Sequence, residues 1–422
     1  MTVLLSDFSR GLKVETAFDV LAVAKTLKGV GKDVVELQIG DSPFPSTSSA
    51  KKAGVAAIDA DQTHYCPSMG IPAFREAVAE RMNAEYHLNI TAANVVCGPG
   101  AKVFEQFFCE AILNPGDEVL VFSPQFPTYL PNIQRRQAQM VTSPLRQEND
   151  FRPSLEDVEK FLARGSKAKA IFLNSPHNPT GGVATESDIR AIGNLIRGKN
   201  VALFSDEPYN HMVWRGKHHT PLAEPDLMDQ CVAAYTFSKS YSMSGWRLGY
   251  AVTSPRLADV IGKMVNTALS CVPPIVQLAG ANALRHDTRE REDLMAKFKR
   301  KVEILTSALT KVPGIRVIPP AGTFYVFPNV APICNRLGIT SHGLAMYLLE
   351  GADPDFGVAC LGGECFGEAG QGFLRFSCAE PDERLVQAIE FLPDAFDRKD
   401  RVRHYLSEHH HYKLAHRYPE PE

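Results

Sequence analysis

Long apolar runs are missing from this chain of 422 residues, and none approaches the length that spans a membrane. Also missing are a CxxC pair and any zinc-ligand spacing among the nine cysteines. Those cysteines are odd in number and scattered. Cys97, Cys109, Cys231 and Cys360 sit in apolar stretches, as small core residues of a protein in a reducing cytoplasm would. Neither sign of charge is in large excess. A net charge of −3 gives no support for nucleic acid or a membrane surface as partner. The N-terminal stretch MTVLLSDFSRGLK lacks a basic region, a long apolar region and a cleavage site, so no signal peptide is expected and the cytoplasm is the expected location. No internal repeat occurs, and no low-complexity segment precedes the C-terminal tail.

What is present is the composition of a globular protein, 44% hydrophobic and 22% charged. The length exceeds what one core usually holds, so two domains are expected. Apolar strands alternate with amphipathic helices. NVVCG (94–98), DEVLVFSP (117–124), AKAIFLNSP (168–176), VALFSDEPY (201–209), VAAYTF (232–237) and RLGYAVTS (247–254) read as strands. AKVFEQFFCEAIL (101–113) and ESDIRAIGNLIRGK (186–199) read as helices, the second with Ile189, Ile192, Leu195 and Ile196 on one face. This alternation predicts an α/β fold with a mainly parallel sheet covered on both faces. A long charged helix at about 287–312 follows. Then come GIRVIPP, GTFYVFP and GFLRFSC, expected as short strands of a smaller α+β domain.

Polar residues collect at the strand ends, where such sheets bind ligands. Asn178 follows one strand, Asp206 and Tyr209 end another, and Lys239 follows VAAYTF. Gly98, Gly100 and Ala101 join a strand to a helix N-terminus. Taken singly, each has a plainer structural reading, and GPGAK alone is a common kind of loop. Together they suit one chemistry. A lysine amine condenses with an aldehyde cofactor. A buried Asp206 holds a pyridine nitrogen protonated, which makes the ring an electron sink. Asn178 and Tyr209 hydrogen-bond an oxygen on that ring. The helix N-terminus at Gly100, Ala101 and Lys102, with Thr236, Ser238 and Arg247, cradles a phosphate. Phe126 stacks on the ring face. These parts describe pyridoxal 5′-phosphate.

Between residues 13 and 395 the sequence resembles the class I/II aminotransferases of fold type I, the aspartate aminotransferase-like family. The segments that carry the likeness are VVELQIGDSPFP, HYCPSMGIPAFREAVAERM, NSPHNPTGG, SDEPY, TFSKSYSMSGWRLGY, PPAGTFYVFP and GFLRFSCA, in this order. The resemblance implies that Lys239 bonds the cofactor and then acts as base, with Asp206 and Tyr209 completing the catalytic set. It implies that Tyr65 reaches the phosphate bound in a neighbouring subunit, hence a homodimer with shared active sites. It implies that Arg375 grips the substrate α-carboxylate and that Gly40 lines it. Arg375 in an apolar strand also reads as a paired structural arginine, Tyr65 as packing and Ser238 as a backbone partner. The resemblance divides the chain into an arm and part of the small domain (1–49), a large cofactor-binding domain (50–288), a small C-terminal domain (289–396) and a polar His-rich tail (397–422).

The substrate is less sharply marked. Lys102 is similar to a lysine that reaches a distal carboxylate in aspartate- and prephenate-type relatives. Asp19 is expected near a position where those relatives carry a hydroxyl, and a carboxylate there opposes an acidic substrate. Aspartate-like or broad specificity therefore ranks first and a basic or neutral amino acid second. Other pyridoxal-phosphate chemistries, such as C–S lyase, decarboxylase or oxidase, would use the same cofactor residues. A non-enzymatic cofactor-binding module is a further alternative. No metal site is expected, although the tail holds five histidines. Glu364 and Cys365 in LGGECFG have no evident role in the sequence.

Overall fold

A computed structural model describes residues 3–12 and 15–420. Residues 1, 2, 13, 14, 421 and 422 lie outside it, and with them the first two positions of the family resemblance and the last two of the tail.

The first strand, β1 (Asp33–Glu36), belongs to a peripheral pair. The next seven build one sheet: β2 (Val95–Gly98), β3 (Glu118–Ser123), β4 (Gln139–Pro144), β5 (Ala168–Asn174), β6 (Ala202–Asp206), β7 (Cys231–Thr236) and β8 (Gly249–Val252). Their spatial order is β2-β8-β7-β6-β5-β3-β4. Pairing is parallel from β7 through β6, β5 and β3 to β4, whereas β8 runs antiparallel to both its neighbours. Successive side chains of β5 alternate between two cores. Ala170 and Phe172 join one cluster, Ile171 and Leu173 the other. That is the period of two expected of a strand buried on both faces.

The helix Lys102–Ile112 covers one face, with Phe104, Phe107 and Phe108 buried, and Pro255–Leu269 lies beside it. Each of those phenylalanines contributes roughly 2–3 kcal/mol through burial. The helices Pro72–Tyr86, Leu155–Leu162, Glu186–Ile196 and Pro274–His286 cover the other face. Glu186–Ile196 starts at a capping box, in which Thr185 accepts from the Asp188 amide and Asp188 accepts in return.

A third core joins both ends of the chain. The helix Thr16–Gly29 and β1 pack with Thr288–Thr310, Ser341–Glu350 and Asp382–Asp397. Here β1 pairs in parallel with β10 (Phe356–Ala359). Strands β9 (Tyr325–Val326), β11 (Leu361–Gly362) and β12 (Leu374–Ser377) form an antiparallel sheet of order β11-β12-β9.

One expectation needs correction. GIRVIPP is not a strand; Arg316 makes one isolated bridge to Asn329. Pro319 and Pro320 lack the amide donors that a ladder requires. The polar tail packs a final helix, Lys399–Glu408, as one of the two readings of its sequence has it. Val402, Tyr405, Leu406 and Tyr418 are buried in the third core, and the Tyr418 hydroxyl donates to Glu364 Oε1 at 2.7 Å. That bond gives Glu364 a structural partner.

Candidate active site

Strand register sets up the site. Asn174 of β5 pairs with Asp206 of β6, and Asp206 pairs with Ala234 of β7. Next along the same rim, Thr236 pairs with Gly249, and Gly249 with Gly98. Beside Gly249 the backbone is crowded. A Cβ there would lie 2.6 Å from the carbonyl carbon of Gly100, so the loop after β2 closes over β8 only because glycine leaves room.

These strand ends open into a cavity of about 500 Å³. Of the residues singled out in the sequence, its lining includes Gly40, Ala101, Lys102, Phe126, Asn178, Asp206, Tyr209, Thr236, Ser238, Lys239, Arg247 and Arg375. Gly100 lies directly beneath the Arg247 guanidinium, 2.8 Å from where its Cβ would be. Tyr65 stands apart from this lining, with 90% of its surface exposed.

The Lys239 ammonium is central. Its Nζ donates to the Gly40 carbonyl at 2.5 Å and lies 5.9 Å and 5.6 Å from the ring centroids of Tyr209 and Phe324. Gly40 has no room for a side chain, because a Cβ would collide with the Tyr325 hydroxyl. Tyr325 and Tyr209 share a hydrogen bond of 3.1 Å, and burial pushes the Tyr209 phenol well above its usual range.

On the floor, Asp206 is buried and accepts from the Tyr129 hydroxyl at 2.5 Å. Burial raises the Asp206 carboxyl, while the Tyr129 bond and the Lys102 and Lys239 charges pull it down. Glu105 is a second buried carboxyl on this floor. It accepts from Thr128 Oγ1 at 2.6 Å and Asn132 Nδ2 at 3.2 Å. Burial, and then the Asp206 charge, push Glu105 well above the carboxylate range.

At one corner Arg247, in a left-handed conformation (φ 53°), donates to the Ser244 carbonyl at 2.7 Å and the Pro99 carbonyl at 3.2 Å. Thr236 Oγ1 lies 2.9 Å from Ser238 Oγ. A guanidinium, two hydroxyls and the N-terminus of Lys102–Ile112 converge there, a donor set suited to a phosphate.

Arg375, 4% exposed, also lines the cavity. It donates to Asn178 Oδ1 at 3.0 Å and the Gln38 carbonyl at 2.6 Å, and it packs against the Tyr325 and Phe366 rings. Its Nε has no partner, and among the described residues no carboxylate pairs with it.

The residue expected near the substrate side chain is misplaced. Asp19 is exposed and outside the cavity, whereas Glu15, one helical turn earlier, lines it and pairs with Lys102. Tyr129, Glu105, Tyr325 and Glu15 are the site residues that sequence reasoning missed. The signals were there in part. Glu105 interrupts an apolar helix, and Tyr325 lies within GTFYVFP.

A lysine, a buried carboxylate and a donor-rich corner meet at the strand ends of a doubly covered sheet. The chain belongs to the aminotransferase class I and II family, whose model matches residues 32–392. It is 33% identical over 369 residues to an aspartate aminotransferase of Pyrococcus horikoshii, covering 87% of this chain and 91% of the relative. An asparagine–oxo-acid transaminase of Streptococcus mutans is 32% identical over 372 residues, with 87% and 93% covered. The solved structure of Thermus thermophilus aspartate aminotransferase with maleate superposes with a TM-score of 0.87 at 29% identity, covering 93% of this chain and all of that one. The chain is an aminotransferase of fold type I. Among the described residues no helix is long and apolar enough to cross a membrane, and no group of three or more potential metal ligands gathers.

Proposed function

We propose that the cavity binds pyridoxal 5′-phosphate and transfers an amino group between an aspartate-like L-α-amino acid and a 2-oxo acid. When bound, the cofactor supplies an aldehyde that takes the amine and a ring that accepts the electrons of the Cα–H bond. Arg247, Thr236, Ser238 and the amides at Gly100, Ala101 and Lys102 hold the phosphate. Asp206 keeps a proton on the pyridine nitrogen, with Tyr129 stabilising the carboxylate that does so. Tyr209 and Asn178 bond the ring oxygen, and Phe126 covers a ring face. Lys239 would hold the aldehyde end of the cofactor, and its free Nζ would be the base placed to take the Cα proton. Tyr65, exposed and remote from this chain's cavity, serves the site of a second copy in a homodimer.

The observation that carries this reading is Arg375. A buried guanidinium without a counter-ion is costly, and this one lines the same cavity as Lys239. An α-carboxylate meets both requirements, since it neutralises the charge and presents Cα toward the lysine amine. A side chain of aspartate size fits the names carried by the Pyrococcus and Streptococcus relatives.

The test is a half-reaction screen. Each amino acid is mixed with the cofactor-loaded protein, the absorbance of the aldehyde form is followed, and the organic product is identified. Aspartate or asparagine should give rapid loss of that absorbance and an equivalent of 2-oxo acid. No conversion with any amino acid, or an amine or cleaved side chain as product, overturns the proposal.

A further inference from the structure

The Lys102 ammonium is held by the carboxylate of Glu15 in an ion pair inside the cavity. The partners come from separate parts of the fold. Glu15 immediately precedes Thr16–Gly29 of the third core, and Lys102 begins the helix Lys102–Ile112 against the large sheet. Their side chains are 18% and 47% exposed, so the pair is only partly shielded by water. Lys102 Nζ also lies 5.1 Å from the centroid of the Phe126 ring.

The cavity's other charges already have places. Arg247 faces the phosphate corner and Asp206 the floor, while Lys239 and Arg375 address the amine and α-carboxylate ends of a substrate. Glu105 is tied to Thr128 and Asn132. Asp41 accepts from the Ser42 amide at 2.8 Å. What remains for a substrate side chain is one ammonium already matched by one carboxylate.

We infer that Glu15 is a specificity-determining residue: with Lys102 it makes the side-chain end of the site a neutral donor–acceptor pair, matched to a primary carboxamide rather than to a second carboxylate. The inference rests on the proposed amino-transfer reading and narrows its substrate class. A carboxamide keeps the pair intact. Its carbonyl accepts from Lys102 and its amide N–H donates to Glu15. A side-chain carboxylate has only acceptors. It must displace Glu15 from Lys102 or share one ammonium with it, and two carboxylates close together repel. Partial exposure keeps the penalty modest, on the order of tenfold in affinity rather than thousands.

Two unreactive probes isolate the effect, succinate and its mono-amide succinamate. Both present one carboxylate to Arg375 and lack an amine, so they differ only at the far end. Their affinities for the cofactor-loaded protein are measured by titration calorimetry in the wild type, Glu15→Gln and Lys102→Ala. The expected result is that the wild type binds succinamate about threefold to tenfold more tightly than succinate. Glu15→Gln should tighten succinate about tenfold and reverse the order. Lys102→Ala should weaken both and erase the difference. The ratio of kcat/KM for aspartate over asparagine should rise with Glu15→Gln by about the same factor. A wild type that prefers succinate, together with a Glu15→Gln ratio unchanged from wild type, overturns the inference. So does failure of both probes to compete with an amino acid that is turned over. If the probe ratios shift as expected but no amino acid is converted, the amino-transfer reading fails while the role of Glu15 in ligand selection stands.

Discussion

The Tyr129 hydroxyl donates to Oδ2 of Asp206 at 2.5 Å, and both side chains are buried. Flanking it, Thr128 and Asn132 donate to Glu105. The short helix Tyr129–Arg135 and its cap thus sort two neighbouring carboxyls. The Tyr129 bond pulls the Asp206 carboxyl down, while burial and the nearby Asp206 charge push Glu105 well above the carboxylate range.

Tyr129→Phe therefore tests how much of the Asp206 charge depends on one hydroxyl. The ring still packs against Phe172, 5.0 Å away, so the fold should persist. Losing a hydrogen bond to a charged acceptor costs about 1.5–3 kcal/mol. The Asp206 carboxyl should rise, the acid limb of the kcat profile should move to higher pH, and kcat should fall about tenfold to a hundredfold. An unshifted acid limb with wild-type kcat would show that Asp206 needs no help from Tyr129.

Lys239→Ala should leave the phosphate corner and floor intact, so the variant should still bind pyridoxal phosphate. Borohydride treatment should then leave no cofactor on the protein, whereas wild type should carry it on Lys239 alone. Mass spectrometry of peptides decides the matter. A reduced adduct on another lysine in wild type would move the anchoring role elsewhere.

Much of this site is legible in the sequence because strand ends are. An apolar run followed by Asp206, Asn178 or Lys239 locates the residue on the rim before any contact is known. What escapes is whatever depends on how distant parts meet. Tyr129 reaches Asp206 across 77 positions, and nothing local marks it. Asp19 fails for a different reason. The phase of Thr16–Gly29 turns it to solvent, while Glu15, at the helix cap, faces inward. The family likeness supplies Arg375 and Gly40. It is the structure that shows Arg375 without a carboxylate partner among the described residues, and Gly40 pressed against Tyr325.

His177 links the site loop to stability. It is buried, its Nδ1 lies 2.8 Å from Thr180 Oγ1, and burial pushes the imidazole down to about 3. In the unfolded chain a histidine titrates near 6.5. Below that pH the unfolded chain therefore binds a proton that the folded chain does not, and stability falls as pH drops from about 6.5 toward 3. Between pH 7 and 5 this residue alone should cost about 2 kcal/mol. His177→Asn should remove that share, so urea unfolding at the two pH values should show a shallower loss than in wild type. Equal losses in the two proteins would mean that His177 is protonated, or exposed, in the folded state.

Arg375 separates amino-acid chemistry from other uses of the cavity. Its planar fork is held by Asn178 and the Gln38 carbonyl and stacked 4.3 Å from the centroid of Tyr325. Two parallel bonds to an α-carboxylate fix the direction of the Cα–H bond. Lysine keeps the charge but loses the fork, so Arg375→Lys should weaken every α-amino acid and every 2-oxo acid together. The loss should be about 2–3 kcal/mol, or roughly 30-fold to 160-fold in kcat/KM. A simple amine without the carboxylate should be a poor substrate for wild type and little changed by the substitution. A thermal melt checks that the variant is folded, and kcat/KM for aspartate, asparagine, alanine and the amine supplies the comparison. If the three amino acids are unaffected, Arg375 is a structural arginine and the carboxylate is gripped by another group. If amine and amino acids fall together, the loss comes from a disturbed site rather than from a missing fork.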